Sequence, residues 1–163
     1  TCPRDLVNNE DVRLVFTVLA ESVAARLRDY GLKCTGIQIS LRDNQLYSAT
    51  RQGLLTKPSY LSADIINKAM ELFLANYNWF HPLRSIGIRA INLVTEKDHI
   101  QLALFDDIDE KTREQESLSH TIDAIHSRFG HGSLMRASCL LDSRLTGFNP
   151  KEDHVIHPVG YFK

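Results

Sequence analysis

The 163-residue sequence predicts an α+β fold in which two amphipathic helices cover one face of a β-sheet. Three observations carry that prediction. Apolar residues recur every three or four positions over two separate stretches, the period of a helix with one buried stripe. Apolar and polar residues alternate in segments between and after these stretches, the period of a strand with one dry and one wet face. Because each helix carries a single stripe, the economical packing puts both on the same side of the sheet and leaves its other side uncovered.

Val12, Val15, Phe16, Leu19, Val23, Leu27 and Tyr30 form the first stripe. Asn8 or Asn9 is placed to cap its start with a side-chain oxygen, and Gly31 to end it. Ile37, Ile39 and Leu41 then alternate with Gln38, Ser40 and Arg42, and Asp43-Asn44 reads as a tight turn. The stretch from Leu46 to Gln52 returns as the hairpin partner. Its inward face is either Leu46, Ser48 and Thr50 or Tyr47, Ala49 and Arg51. Ser62 is the expected N-cap of the second helix, with Leu61 and Ile66 spaced as a hydrophobic staple and Ile65, Ala69, Met70, Leu72 and Phe73 as the apolar face. Pro82 closes the next loop, and Ile86, Ile88 and Ala90 alternate with Ser85, Gly87 and Arg89 in a further strand. Leu118, Ile122, Ile125 and Phe129 space a third helix stopped by Gly130, while Leu134 to Leu141 is a short strand candidate. From Arg144 onward there is no periodicity, and loose attachment is expected.

A composition of 43% hydrophobic and 24% charged residues supports a folded core and excludes a disordered or fibrous chain. No apolar run is long enough to span a bilayer, and Thr1-Cys2-Pro3-Arg4-Asp5 lacks the layout of a signal peptide, so a soluble cytoplasmic protein is expected. The absence of an initiator Met suggests an excised fragment. Cys2, Cys34 and Cys139 are odd in number and far apart, which argues for reduced thiols and against a disulfide framework or zinc knuckle. A net charge of −1 counts against a general nucleic-acid binder, but the charge is patterned. Lys33, Arg42, Arg51 and Lys57 face only Asp43, whereas Asp106, Asp107, Asp109, Glu110, Glu114 and Glu116 face only Lys111 and Arg113. Basic strands precede an acidic connector.

No catalytic or metal-binding constellation is legible. His154 and His157 form an HxxH without a third ligand at matching spacing. The acidic cluster lacks the alternate spacing and central Gly of a calcium loop, and Gly130-His131-Gly132 is too short to cradle phosphate. Cys34 and Cys139 sit in apolar runs, where a thiol is inert packing. The uncovered sheet face is more informative, because Arg, Ser, Thr and Gln side chains suit contact with phosphates that reads no base sequence. The plain alternative is that they keep a one-sided sheet soluble. Gln101-Leu102-Ala103-Leu104-Phe105 also has two readings. It is either a hairpin strand turning at Glu96-Lys97-Asp98 or an extended ligand peptide, and its order QLxLF resembles the peptide by which bacterial polymerases bind the β sliding clamp.

Taken together, TCPRDLVNNEDV, AARLRDYGLKCTGIQISLRD, the hairpin LYSATRQ, RSIGIRAINLV with its Arg-x-x-Gly-Ile pattern, and QLALFDD resemble the C-terminal portion of bacterial Y-family translesion DNA polymerases, the polymerase IV and V kind of the ImpB/MucB/SamB group. The likeness spans nearly all of Thr1 to Asp107. It implies a little finger domain over 1–107, a β-α-β-β-α-β sheet with two helices on one face and DNA along the other, followed by a tail over 108–163 with one helix and a short strand. The family's first strand has no counterpart here, so one sheet edge is expected to be absent or filled by another segment. The family's palm, with its Mg²⁺-binding carboxylates, is missing too. The fragment alone is therefore expected to be non-catalytic, within a parent DNA-directed DNA polymerase acting in DNA damage tolerance.

Carried onto this chain, the resemblance implies DNA-backbone contacts from Arg42, Ser48, Thr50, Arg51, Ser85 and Arg89. Arg84, of opposite strand parity, is expected to reach phosphate from the strand end or to brace the sheet. Gln101, Leu102, Leu104 and Phe105 are the clamp-binding candidates, and no metal ligand or catalytic residue is expected. The competing reading is a protein-interaction module that uses the same sheet and binds no DNA.

Overall fold

A computed structural model describes residues 1–95 and 110–150. Helix α1 spans Asn9–Asp29. Asn8 caps it from an extended conformation, its side chain accepting the Asp11 N–H at 2.8 Å. Glu10 and Asp11 in the first turn and Arg26 and Arg28 in the last complement the helix dipole. Gly31, at φ +62°, reverses the chain where a side chain would be strained. Val12, Val15, Phe16, Val23 and Leu27 are buried as the stripe predicts. Tyr30 is not, because it is the C-cap beyond the last turn and is 78% exposed.

Strands β1 (Leu32–Asp43), β2 (Ser48–Ser59) and β3 (Leu83–Thr95) form an antiparallel sheet in the order β2-β1-β3. Ile39 of β1 lies opposite Arg51 and Ile88, and Leu41 lies opposite Ala49 and Ile86. Directly opposed residues share a face, so this is the side covered by α1 and by α2 (Ser62–Asn76). Phe16 and Phe73 meet edge to face across the two helices, ring centroids 6.4 Å apart, above the fully buried Ile37 and Ile39.

Several details differ from the sequence reading. The β1–β2 turn is longer than Asp43-Asn44, because the buried Asp43 carboxylate accepts the N–H groups of both Gln45 and Tyr47 at 2.9 Å. Leu46, at φ +70°, and Tyr47 are therefore exposed and outside the strand, which starts at Ser48 and continues past Gln52 to Ser59. Ser62 is the first residue of α2 and not its cap. Leu61 holds the cap position without a side-chain acceptor, and the Ser59 hydroxyl accepts the Leu61 N–H instead.

The outer edge of β3 is partly filled by the segment before α1. Leu6 and Leu83 exchange both backbone hydrogen bonds, at 2.8 and 3.0 Å, and the Cys2 N–H donates to the Arg84 carbonyl. Helix α3 (Glu110–Phe129) forms as expected and ends at Gly130, φ +91°, but buries none of its side chains. Polar contacts hold it. Arg28 grips Asp123 with two guanidinium nitrogens, and Lys33 pairs with Glu116 at 3.1 Å.

Leu134 to Leu141 is not a strand. Ala137–Leu141 winds into a 3-10 turn that buries Cys139, with the Cys139 N–H donating to the Arg136 carbonyl at 2.9 Å. Residues 142–146 are also docked, so loose attachment does not hold for the first part of the tail, and residues 151–163 lie outside the described residues. Asp142 caps the short helix α4 (Ser143–Thr146), Leu145 is 0% exposed, and Arg4 bonds both Asp11 and Asp142 at 2.8 Å. Gln101 to Phe105, the acids Asp106, Asp107 and Asp109, and His154 and His157 lie outside the described residues.

Candidate nucleic-acid interface

The register of the sheet builds its open face in cross-strand rows. Ser48, Arg42 and Ser85 make the first row, Thr50, Ser40 and Gly87 the second, Gln52, Gln38 and Arg89 the third, and Leu54, Gly36 and Ile91 the fourth. No carboxylate stands in any of them. Hydroxyls and amides fill the middle between two arginines that are both exposed. At the rise of a strand, four residues and one strand spacing separate Arg42 from Arg89 by roughly 14 Å. That spacing suits a track of phosphates better than a single base pair.

Two features keep the surface flat and charged. A Cβ on Gly87 would stand 2.6 Å from the Ser40 hydroxyl, which would have to turn away, so glycine keeps the second row low and lets a ligand backbone approach closely. Arg4, Arg28, Lys33, Lys68, Arg84 and Arg136 all pair with carboxylates, whereas among the described residues Arg42 and Arg89 pair with none. Lys33 and Lys57, from the same basic run, are turned to α3 and contact Glu116 and Thr112.

The sequence-derived candidates therefore divide. Arg42, Ser48, Thr50, Ser85 and Arg89 come together on the open face. Arg51 stands opposite Ile39 on the helix-covered side, at the sheet edge, where its Nε donates to Asn76 Oδ1 at 3.0 Å. Arg84 is left without a partner on β1 where the register slips between Arg42 and Asp43, a bulge that turns it out of the ladder. It pairs with Asp5 at 3.1 Å while its carbonyl holds Cys2, which makes it a brace between the sheet and the segment before α1. Gln52 and Gly87 belong to the surface although sequence reasoning did not select them. Once the hairpin register is known, Gln52 follows from the alternation that marks Thr50.

Among the described residues no group of three His, Cys, Asp or Glu side chains is placed to hold a metal ion, and no helix is long and apolar enough to cross a membrane. The thiols of Cys2, Cys34 and Cys139 are buried, and burial pushes Cys34 up to about 11, far from a nucleophile's range.

Comparison with known proteins agrees with this architecture. DNA polymerase IV of Acetivibrio thermocellus is 41% identical over 145 residues, covering 89% of this chain and 36% of that protein. DNA polymerase IV of Clostridium acetobutylicum is 30% identical over 142 residues, and DNA polymerase IV 2 of Bacillus subtilis is 30% identical over 144, each covering 86% of this chain and 34% of the relative. The chain thus spans about a third of the length of the curated relatives it matches. With residues 1–104 matched by the model of the impB/mucB/samB family C-terminal domain, the chain belongs to that family.

Proposed function

We propose that this chain is the DNA-gripping domain of a translesion DNA polymerase that acts in damage tolerance in the cytoplasm, and that it holds the template-primer by its backbone. One observation carries the reading: the open sheet face presents Arg42 and Arg89, unpaired among the described residues, on rows that contain no carboxylate. Ser48, Thr50 and Ser85 add hydroxyls that donate to phosphate oxygens. Contacts of this kind fix position without reading bases, and they tolerate a damaged base that a base-reading surface would reject. Nucleotide transfer belongs to Mg²⁺-binding carboxylates elsewhere in the parent polymerase. Gln101, Leu102, Leu104 and Phe105 dock the parent on the β sliding clamp, their apolar side chains entering a partner pocket beside an acidic flank.

A fluorescence-anisotropy titration with duplexes of unrelated sequence tests the DNA reading. Equal affinities that fall together as salt rises are expected. Affinity that depends on base sequence, or no binding at low salt, refutes it and leaves a protein-interaction surface.

A further inference from the structure

We propose that the end of the sheet beyond its first row binds unpaired nucleic-acid bases, with Phe80 and Tyr47 as the stacking platform. The inference rests on the DNA reading of the open face and extends it from the duplex to a single strand. Leu46, Tyr47 and Phe80 are 67%, 70% and 79% exposed, and they gather at one place. The Asn44 N–H donates to the Pro82 carbonyl at 3.0 Å, so the β1–β2 turn lies against the loop between α2 and β3. Leu46 and Phe80 each stand two residues from that bond, within about 7 Å of it along the chain. Phe80 is displayed by a loop that is otherwise locked. Trp79 has φ +56°, a conformation rare for a bulky residue. Its indole N–H donates to Asn9 Oδ1 at 2.7 Å, and its ring meets Phe73 and Tyr77 edge-on at 5.7 Å each. Beyond Phe80, the His81 carbonyl accepts the Tyr77 hydroxyl. An exposed aromatic ring on so fixed a loop loses little conformational freedom when a partner covers it.

Continuity with the open face identifies the partner. Ser48, in the row with Arg42 and Ser85, directly follows Tyr47, and Leu83, which pairs with Asp43, stands two residues before Ser85. A strand whose phosphates lie along the first row therefore reaches Tyr47 and Phe80 with the nucleotides that follow. The carboxylates at this end are engaged, Asp43 with the N–H groups of Gln45 and Tyr47 and Asp5 with Arg84, so they do not repel it. Tyr47 has the parity of Ala49 and not of Ser48, which puts the platform at the end of the sheet and off its open face. That position suits a strand turning away from the duplex and not the duplex itself. Phosphate contacts beside exposed aromatic rings suit single strands, because every base has a ring face to stack whatever its identity.

The test is fluorescence anisotropy of the full chain at low salt on three labelled DNAs: a blunt duplex, the same duplex with an unpaired 5′ extension, and that extension made of abasic sites. The base-bearing extension is expected to bind at least about fivefold tighter than the abasic one, the gain from stacking a single base. Phe80→Ala and Tyr47→Ala are each expected to remove most of that gain while leaving the blunt-duplex affinity and the melting temperature at parental values, since both side chains are exposed. Tyr47→Phe, which keeps the ring, is expected to retain it. Equal binding of the two extensions, or the parental gain in both alanine variants, overturns this proposal alone when the blunt duplex still binds. No binding of any of the three DNAs overturns it together with the DNA reading. A parent chain that dimerises in sedimentation and shows no gain, with Phe80→Ala monomeric, assigns the patch to a second copy and overturns it as well.

Discussion

Replacing Arg42 and Arg89 together by alanine is expected to flatten the salt dependence of DNA binding, and replacing Arg51 is expected to leave it unchanged. The first two stand on the open face without a described carboxylate partner, whereas Arg51 shares its parity with Ile39 and is bonded to Asn76. Each phosphate neutralised on duplex DNA contributes about 0.9 to the slope of log K against log salt, so losing two contacts makes the slope shallower by about 1.8. Between about 50 and 200 mM salt, roughly 0.6 log units, the parent should then lose roughly tenfold more affinity than the double variant. Truncating exposed arginines changes stability by no more than about 0.5 kcal/mol, so a melting curve separates loss of binding from loss of fold. The assay is fluorescence anisotropy on one duplex across a salt series. A double variant with the parental slope, or an Arg51→Ala variant that flattens it as much, would refute the assignment of the DNA surface.

Four further outcomes follow from the packing. Bonds from the Arg4 guanidinium hold the Asp11 carboxyl below its usual range, so the unfolded chain takes up a proton near pH 4 that the native state resists. The resulting stability is present above about pH 4 and is lost as pH falls through the native value; Asp11→Asn should cost about 2 kcal/mol at neutral pH and flatten the acid limb of a melting-temperature profile, and an unaltered limb counts against it. Leu145→Ala should destabilise by about 2–5 kcal/mol in a denaturant titration, since the side chain is fully buried; a loss under about 0.5 kcal/mol means the segment is not part of the core. Leu104→Ala with Phe105→Ala should abolish calorimetric binding to the β clamp and leave melting unchanged, and undiminished clamp affinity sinks that role. Cys34, fully buried and with its thiol pushed up to about 11, should resist iodoacetamide at pH 8 until the protein unfolds; rapid native labelling contradicts its burial.

What was legible in the sequence was what depends on neighbours along the chain. The 3.6-residue stripe of α1, the alternation through Ile37, Ile39 and Leu41, and the parity of Ser85 and Arg89 are local patterns, and each reappears in the fold. The face of Arg51 was not legible, because it depends on how many residues the hairpin turn consumes. That number is set by the Asp43 carboxylate reaching two N–H groups, which no periodicity reveals. Gly53 and Pro58 punctuate the second strand and conceal its full length; proline is tolerated there because, among the described residues, β2 is an edge strand. Helix α3 was legible as a helix but its docking was not, since it is held by Arg28, Lys33 and Lys57 and not by its apolar stripe. The docking of Asp142 and Leu145 rests on partners at the opposite end of the chain, where local reasoning has nothing to work on.

The contact from Arg4 to Asp142 closes a loop of 138 positions. Closing so long a loop is entropically expensive, so a contact of this span forms after the local helices and the hairpin have set the sheet. Interactions that are missing from the folding transition state leave the rate of folding nearly unchanged and act on the rate of escape from the native state. The Arg4–Asp142 pair therefore works as a latch: it adds nothing to the speed of assembly and lengthens the lifetime of the finished domain, so a variant without Asp142 should fold as fast as the parent and unfold sooner.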